Sequence, residues 1–109
     1  MSSCDTEQNK LCKSLGKEYR IRVIDLERCI YRDFGNKFDV EVSGTHTTSK
    51  RRTAEIYLWY DERIIVKCVH KVPFSEIGKE VDKLYEYTCE LYRTGPITDA
   101  RMYEIKHER

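Results

Sequence analysis

Breaks are scarce in this chain, with two prolines and five glycines in 109 residues. That scarcity excludes a collagen-like or low-complexity sequence and leaves no glycine-rich loop to cradle a phosphate. No apolar run is long enough to cross a bilayer or to form a secretory core, and Met1-Ser2-Ser3-Cys4 is polar. The expectation is therefore a cytoplasmic protein with no membrane partner. Charge of one sign is missing too: 20 basic side chains face 19 acidic ones, for a net charge of +1. A long-range pull on nucleic acid or anionic lipid is thereby excluded, and only a local patch can supply one. The five cysteines, Cys4, Cys12, Cys29, Cys68 and Cys89, are odd in number and show no C-x-x-C spacing. They read as free thiols in a reducing compartment, with Cys68 and Cys89 at core-facing positions. His46, His70 and His107 lie far apart and share no ligand spacing with the cysteines, so neither a metal nor a cofactor is predicted.

What is present is regular patterning. Hydrophobic residues make up 39% of the chain and aromatics 11%, eight of them tyrosine. That composition, at the length of one domain, predicts a folded chain rather than a disordered one. The patterning predicts an α+β domain over 1–109: a helix or frayed arm over 1–17, antiparallel strands over 18–72 with a basic loop at 43–52, a long helix over 73–95, and a short helix or tail over 96–109.

Leu11, Cys12 and Leu15 have helical spacing, and Gly16 is a stop. From Glu18 the period becomes two, with Tyr19, Ile21 and Val23 alternating with Arg20 and Arg22. Residues 25–34 admit two readings. As a helix, Val23, Leu26, Ile30 and Phe34 share a face and Gly35 closes it. As a strand, the segment meets 37–42 across a Gly35-Asn36 turn, which places Cys29 and Tyr31 beside Val42 and Val40 and sets Arg32 opposite Asp39. The strand reading is favoured. In the next hairpin, side-chain parity selects a three-residue loop, Asp61-Glu62-Arg63, which pairs Tyr60 with Ile64, Leu58 with Val66 and Ile56 with Cys68. After Pro73, Ser75 is the expected cap of a helix whose Ile77, Val81, Leu84, Thr88 and Leu91 form one stripe. Gly95-Pro96 ends it, and Met102 and Ile105 dock a last helix within 98–108. One such helix covers one face of an antiparallel sheet. The other face stays open unless the terminal segments or a second subunit cover it.

That open face is expected to carry Glu55, Tyr57 and Trp59 beside Ile65, Lys67, Val69 and Lys71, with Trp59 opposite Ile65 and Tyr57 opposite Lys67. Arg20, Arg22 and Arg32 join it if the early strands pair in. Aromatics interleaved with cations make a hot-spot patch for a protein or a stacking platform for bases. The plainer alternative is cross-strand packing, or burial under the N-terminal helix. Tyr87 lies further round the long helix than Tyr85 and Tyr92 and is the better contact candidate. The partner-binding set is thus Tyr57, Trp59, Ile65, Lys67 and Tyr87. The nucleic-acid set is Arg20, Arg22, His46, Lys50, Arg51, Arg52 and Lys67.

Two enzymatic patterns are chance-level. Asp39 and Glu41 with Glu55 or Lys67 form a nuclease-like set of a kind common on strands. Cys68 and His70 share a face, but one expected to lie under the helix. If 25–34 were helical, the order helix, three strands, helix would resemble double-stranded-RNA-binding domains in topology, with the loop between the first two strands entering the minor groove. The segment FSEIGKEVDKL lacks the lysine cluster of such domains, and residues 74–93 carry three basic and five acidic side chains. The function expected is a non-enzymatic binding or inhibitor protein that acts by occupying a macromolecular partner. In size and fold it is similar to phage and mobile-element accessory proteins, including inhibitors of CRISPR nucleases. A protein partner is favoured, a nucleic-acid-binding module is the alternative, and homodimerisation through the open face is a further use of Tyr57 and Trp59.

Overall fold

The computed structural model describes residues 3–47 and 52–108, so Lys50 and Arg51 of the basic loop lie outside the described residues. The order is α1 (Ser3–Leu15), β1 (Arg20–Ile24), β2 (Glu27–Asp33), β3 (Phe38–Ser43), β4 (Thr53–Tyr60), β5 (Ile64–Pro73), a 3-10 turn (Phe74–Glu76), α2 (Ile77–Arg93) and α3 (Asp99–His107). The strands form one antiparallel meander in sequence order, β1-β2-β3-β4-β5. The expected α+β architecture is what the structure has. Residues 27–33 are strand, so the resemblance to double-stranded-RNA-binding domains loses the helix on which it depended.

Turn geometry sets the register and thereby the faces. Between β1 and β2, Asp25 and Leu26 both take left-handed backbone (φ 49° and 67°), the conformation a tight two-residue hairpin turn requires. Between β4 and β5, Tyr60 pairs with Ile64 across Asp61-Glu62-Arg63, and Arg63 N donates to Tyr60 O at 3.0 Å. This is the loop that parity selects. The β2–β3 loop differs from expectation. Phe34 N donates to Phe38 O at 3.0 Å, so the loop is Gly35-Asn36-Lys37, one residue longer, with Gly35 (φ 74°) and Lys37 (φ 75°) in the left-handed region.

That one residue shifts β2 against β3. The pairs are Ile30–Val42, Tyr31–Glu41, Arg32–Val40 and Asp33–Asp39. A slip of one exchanges the faces of every side chain. Cys29 and Tyr31 therefore leave the valines and join Glu41 and Asp39. Arg32 turns to the helix side, where its guanidinium lies 5.4 Å from the Tyr19 ring centre, 5.3 Å from Phe34 and 5.9 Å from Tyr85.

Strand β5 departs from its expected register through a bulge. Trp59 faces Ile65 as expected, but then Leu58 faces Lys67, Tyr57 faces Cys68, and Ile56 faces Val69. A bulge adds one residue and re-aims all that follow it. Lys67 thus lies on the helix side, its Nζ 4.3 Å from the Tyr87 ring centre. Val69 packs against the core, while Cys68 is half-buried on the other face rather than in the core. His70, also expected beneath the helix, is exposed, with Nδ1 2.8 Å from Glu55 Oε2. Cys89, the other cysteine expected in the core, is half-buried.

The core lies between the helices and one sheet face. In α2 the buried side chains are Ile77, Val81, Leu84, Thr88 and Leu91, the stripe read from the sequence. They pack with Ile30, Phe38, Val40, Val42, Ile56 and Leu58 in a cluster that includes Cys12 of α1 and Met102 of α3. Ser75 sits inside the 3-10 turn and does not cap α2, whose N-cap is Glu76. Thr98 does cap α3, its side chain accepting from Arg101 N at 3.2 Å. Tyr87 is half-buried against the core, whereas Tyr85 and Tyr92 are the more exposed pair, the reverse of expectation. Gln8 is fully buried in α1. Its Nε2 donates to Arg28 O and Thr45 Oγ1 and its Oε1 accepts from Arg28 Nε, each at 2.8 Å.

Candidate functional site

The sheet face away from the helices carries Arg20, Arg22 and Ile24 of β1, Glu27, Cys29 and Tyr31 of β2, Asp39 and Glu41 of β3, Glu55, Tyr57 and Trp59 of β4, and Ile65 and Cys68 of β5. The sequence predicts this face to be open. Instead Cys29, Tyr31, Asp39 and Glu41 are buried on it, and Tyr57, Trp59 and Ile65 are half-buried. Over Tyr31 the cover comes from β1. The Arg20 and Arg22 guanidinium carbons lie 4.9 Å and 4.6 Å from the Tyr31 ring centre. Arg22 Nη1 continues across the face to Glu62 Oε1 in the β4–β5 turn, at 3.3 Å. Long cationic side chains thus lay their stems over apolar surface and end on a carboxylate.

Beneath that strap lies a polar network. The Tyr31 hydroxyl donates to Asp39 Oδ2 at 2.7 Å, and Trp59 Nε1 donates to Glu41 Oε1 at 3.1 Å. The Cys29 thiol is 3.8 Å from Glu41 Oε2. Asp39 Oδ1 is buried and, among the described residues, is the one buried side-chain polar atom without a hydrogen-bond partner. Asp39 is one of the residues around a cavity of about 80 Å³, with Arg22, Ile24, Tyr31, Trp59 and Glu62.

The electrostatics of this face are uniform in direction. Burial first, then the neighbouring Glu62 and Asp33, raises the Asp39 pKa against the opposing Tyr31 hydrogen bond. Glu41 is raised by burial and by Glu27, against the Trp59 hydrogen bond. Burial and the surrounding carboxylates push the Cys29 thiol up to about 12. Tyr31 and Tyr57 are raised by burial and by adjacent acids. Each of these acids resists ionisation because water is excluded and because other negative groups are close.

Glu27, Cys29 and Glu41 bring three potential metal ligands within 4.8 Å of one another, a grouping that no sequence spacing reveals. Their donor atoms are already engaged: Glu27 accepts from Ser43 Oγ and Gly44 N, and Cys29 holds its proton. A metal would have to displace those hydrogen bonds and that proton.

Of the residues singled out in the sequence, Tyr57, Trp59 and Ile65 come together on this face. Lys67 and Tyr87 come together on the opposite one. Arg20 and Arg22 share the outer face but stack on Tyr31. His46 Nε2 is 2.5 Å from Asp5 Oδ1, and Arg52 lies over Phe74. The nuclease-like set is split, since Lys67 is across the sheet from Asp39, Glu41 and Glu55. Sequence reasoning missed Tyr31, Asp39 and Glu62 as parts of a site. The signal was the length of the Gly35-Asn36-Lys37 loop, which decides the face that Tyr31 occupies. No family model matches this sequence, and no curated protein or solved structure is significantly similar to it. Among the described residues no helix is long and apolar enough to cross a membrane.

Proposed function

We propose that this chain is a non-enzymatic binding protein that docks a basic segment of a protein partner on the face opposite its helices. The observation that carries this reading is the charge around Trp59 and Tyr57. Glu27, Asp39, Glu41, Glu55 and Glu62 stand there against Arg20 and Arg22. Such a field attracts cations and repels phosphate, and the half-buried Tyr57 and Trp59 rings add cation–π and apolar contact. An inhibitory role follows from the same charge. An acidic face competes with a nucleic-acid backbone for the basic surface of a nuclease or other nucleic-acid-handling protein, the kind of occupancy that accessory proteins of mobile elements use. All five thiols are free, which suits the reducing cytoplasm.

The test uses Trp59, the single tryptophan. Its fluorescence is followed while the protein is titrated with a mixed lysine–arginine peptide and, separately, with single- and double-stranded oligonucleotides, at low and near-physiological salt. A saturable, salt-sensitive response to the peptide alone supports the proposal. A response to oligonucleotides alone overturns it in favour of nucleic-acid binding. Sedimentation of the free protein separates either outcome from self-association.

A further inference from the structure

We propose that the free edge of β1 takes an extended acidic segment of a protein partner as a sixth, antiparallel strand. The proposal goes beyond the outer-face reading and does not depend on it. That face suits a basic segment, this edge an acidic one.

The first ground is the hydrogen-bond ladder. β1 and β5 are the two edges of the sheet. β5 is guarded by its bulge, by Pro73 and by the packing of α3 against it, devices that keep an edge from pairing. β1 has neither bulge nor proline, and it pairs with β2 without interruption from Arg20 to Ile24. The two-residue Asp25-Leu26 turn makes Ile24–Glu27 a hydrogen-bonded pair, and such pairs alternate along an antiparallel ladder. Arg20, Arg22 and Ile24 therefore direct their backbone groups to β2. Ile21 and Val23 each point an N–H and a C=O away from the sheet, the pattern that an added strand pairs with.

The second ground is the apolar surface beside that ladder. Val23 and Leu26, 65% and 99% exposed, are the most exposed large hydrophobic residues among those described. Ile21, opposite Ile30 on the helix side, lines with Cys12 and Tyr19 a groove of about 440 Å³ between β1 and α1. Alternate side chains of an added strand fall on Ile21 and Val23, where apolar residues fit.

The third ground is charge. Exposed Lys13 and Lys17 line the same groove, and exposed Arg20 stands on the outer side of the edge. Among the described residues none of the three forms an ion pair, whereas Lys10, Arg22 and Arg28 are engaged by Glu7, Glu62 and Asp5. The opposing carboxylates are Glu18, beside Gly16, and Asp25 in the turn at the far end of β1. The start of β1 is thus its positive end. In antiparallel addition that end meets the C-terminal half of the incoming strand, which is where its acids belong. A second copy of this chain fits poorly. Setting Ile21 opposite Val23 sets Arg22 opposite its own counterpart, and like charges directly across a ladder repel.

The experiment uses the full chain labelled with ¹⁵N and three capped octapeptides. In the first, valine alternates with threonine in the N-terminal half and with glutamate in the C-terminal half. The second has lysine for glutamate, and the third has N-methylated valines. The amides of Ile21 and Val23 should exchange quickly in the free protein, and the glutamate peptide should shift them saturably and slow their exchange. N-methylation removes the donors that face β1 without changing charge and should weaken binding by about tenfold. Val23→Pro deletes an outward N–H while sparing the ladder to β2, and should weaken binding similarly. Lys13→Glu with Lys17→Glu, both exposed, should weaken the glutamate peptide about three- to tenfold and favour the lysine peptide, so the test does not depend on one variant folding. Equal binding of the N-methylated peptide overturns strand addition. Equal binding of the lysine peptide to the parent overturns the acidic partner. Protection of Ile21 and Val23 that grows with protein concentration alone overturns the proposal in favour of self-pairing. Oligonucleotides that shift these amides when the glutamate peptide does not overturn it in favour of nucleic acid. None of these outcomes bears on the Trp59 titration, so the two readings fail separately.

Discussion

Asp39 receives a hydrogen bond from Tyr31 on one oxygen and none on the other, in a position almost closed to water. Its carboxylate form is held at a cost, and so is that of Glu41 beside it. Because both pKa values are raised above their unfolded values, the folded state binds protons more tightly than the unfolded chain. The slope of stability with pH follows the excess of protons in the unfolded state, which is negative here. The contribution is therefore full below the ordinary carboxylate values and is lost as pH rises through the raised ones. In urea unfolding, stability from this pair should increase as pH falls from 7 towards the normal carboxylate range. Asp39→Asn keeps an acceptor for Tyr31 and removes the buried charge. It should stabilise the protein at pH 7 by about 1 kcal/mol and flatten the pH dependence. A destabilised variant with an unchanged pH profile would show that Asp39 is held as a satisfied anion.

At the scale of elements, α1 is joined to the sheet by a polar clamp as much as by Leu11, Cys12 and Leu15. Gln8 is fully buried, and its side-chain amide bonds to Arg28 and Thr45. Gln8→Ala leaves the Arg28 carbonyl and the Thr45 hydroxyl without that donor, and should cost about 2 kcal/mol. Amide exchange should show the loss as earlier opening of α1, with α2 and the central strands unaffected. Equal loss of protection throughout would mean that α1 is part of the global unit. This clamp could not be read from the sequence, where Gln8 looks like any polar residue of a weak amphipathic helix. The α2 stripe could, because five apolar or small side chains at helical spacing admit one solution. The Asp61-Glu62-Arg63 loop was legible for a similar reason: an even-length turn would have buried Lys67 opposite Ile56. The β2–β3 register was not. Gly35-Asn36 suits a two-residue turn, and only the left-handed Lys37 lengthens it. That shift moved Tyr31 on to the candidate face and Arg32 off it. The β5 bulge was hidden too, since it carries Lys67 to the helix side, where the Tyr87 ring receives its charge, a compensation that side-chain parity does not reveal. Half of the candidate site was therefore visible, as Tyr57, Trp59 and Ile65, and the half that decides its charge depended on two local irregularities.

Over the whole molecule, the sheet separates an apolar interior, roofed by three helices, from an acidic outer face. The protein is elongated, 45 × 25 × 21 Å along its principal axes, so the outer face is a broad surface for its mass. At physiological salt the Debye length is about 8 Å, short enough that charges on opposite sides of the sheet act separately. Lys67 is the residue on which this separation can be tested, because the sequence places it among the aromatics and the structure places it on Tyr87. Lys67→Glu should forfeit the cation–π contact, at about 0.5–1 kcal/mol of stability. It should leave affinity for a basic peptide within about twofold of the parent. Glu55→Lys, on the outer face and half-exposed, should weaken that affinity by roughly two- to tenfold, as reversal of a partly screened charge does. Parallel peptide titrations of the two variants, with thermal melts to correct for stability, give the comparison. If Lys67→Glu and Glu55→Lys change affinity by similar factors, the peptide reads the net charge of the molecule rather than one face. If only Glu55→Lys does, the outer face is where a basic partner docks.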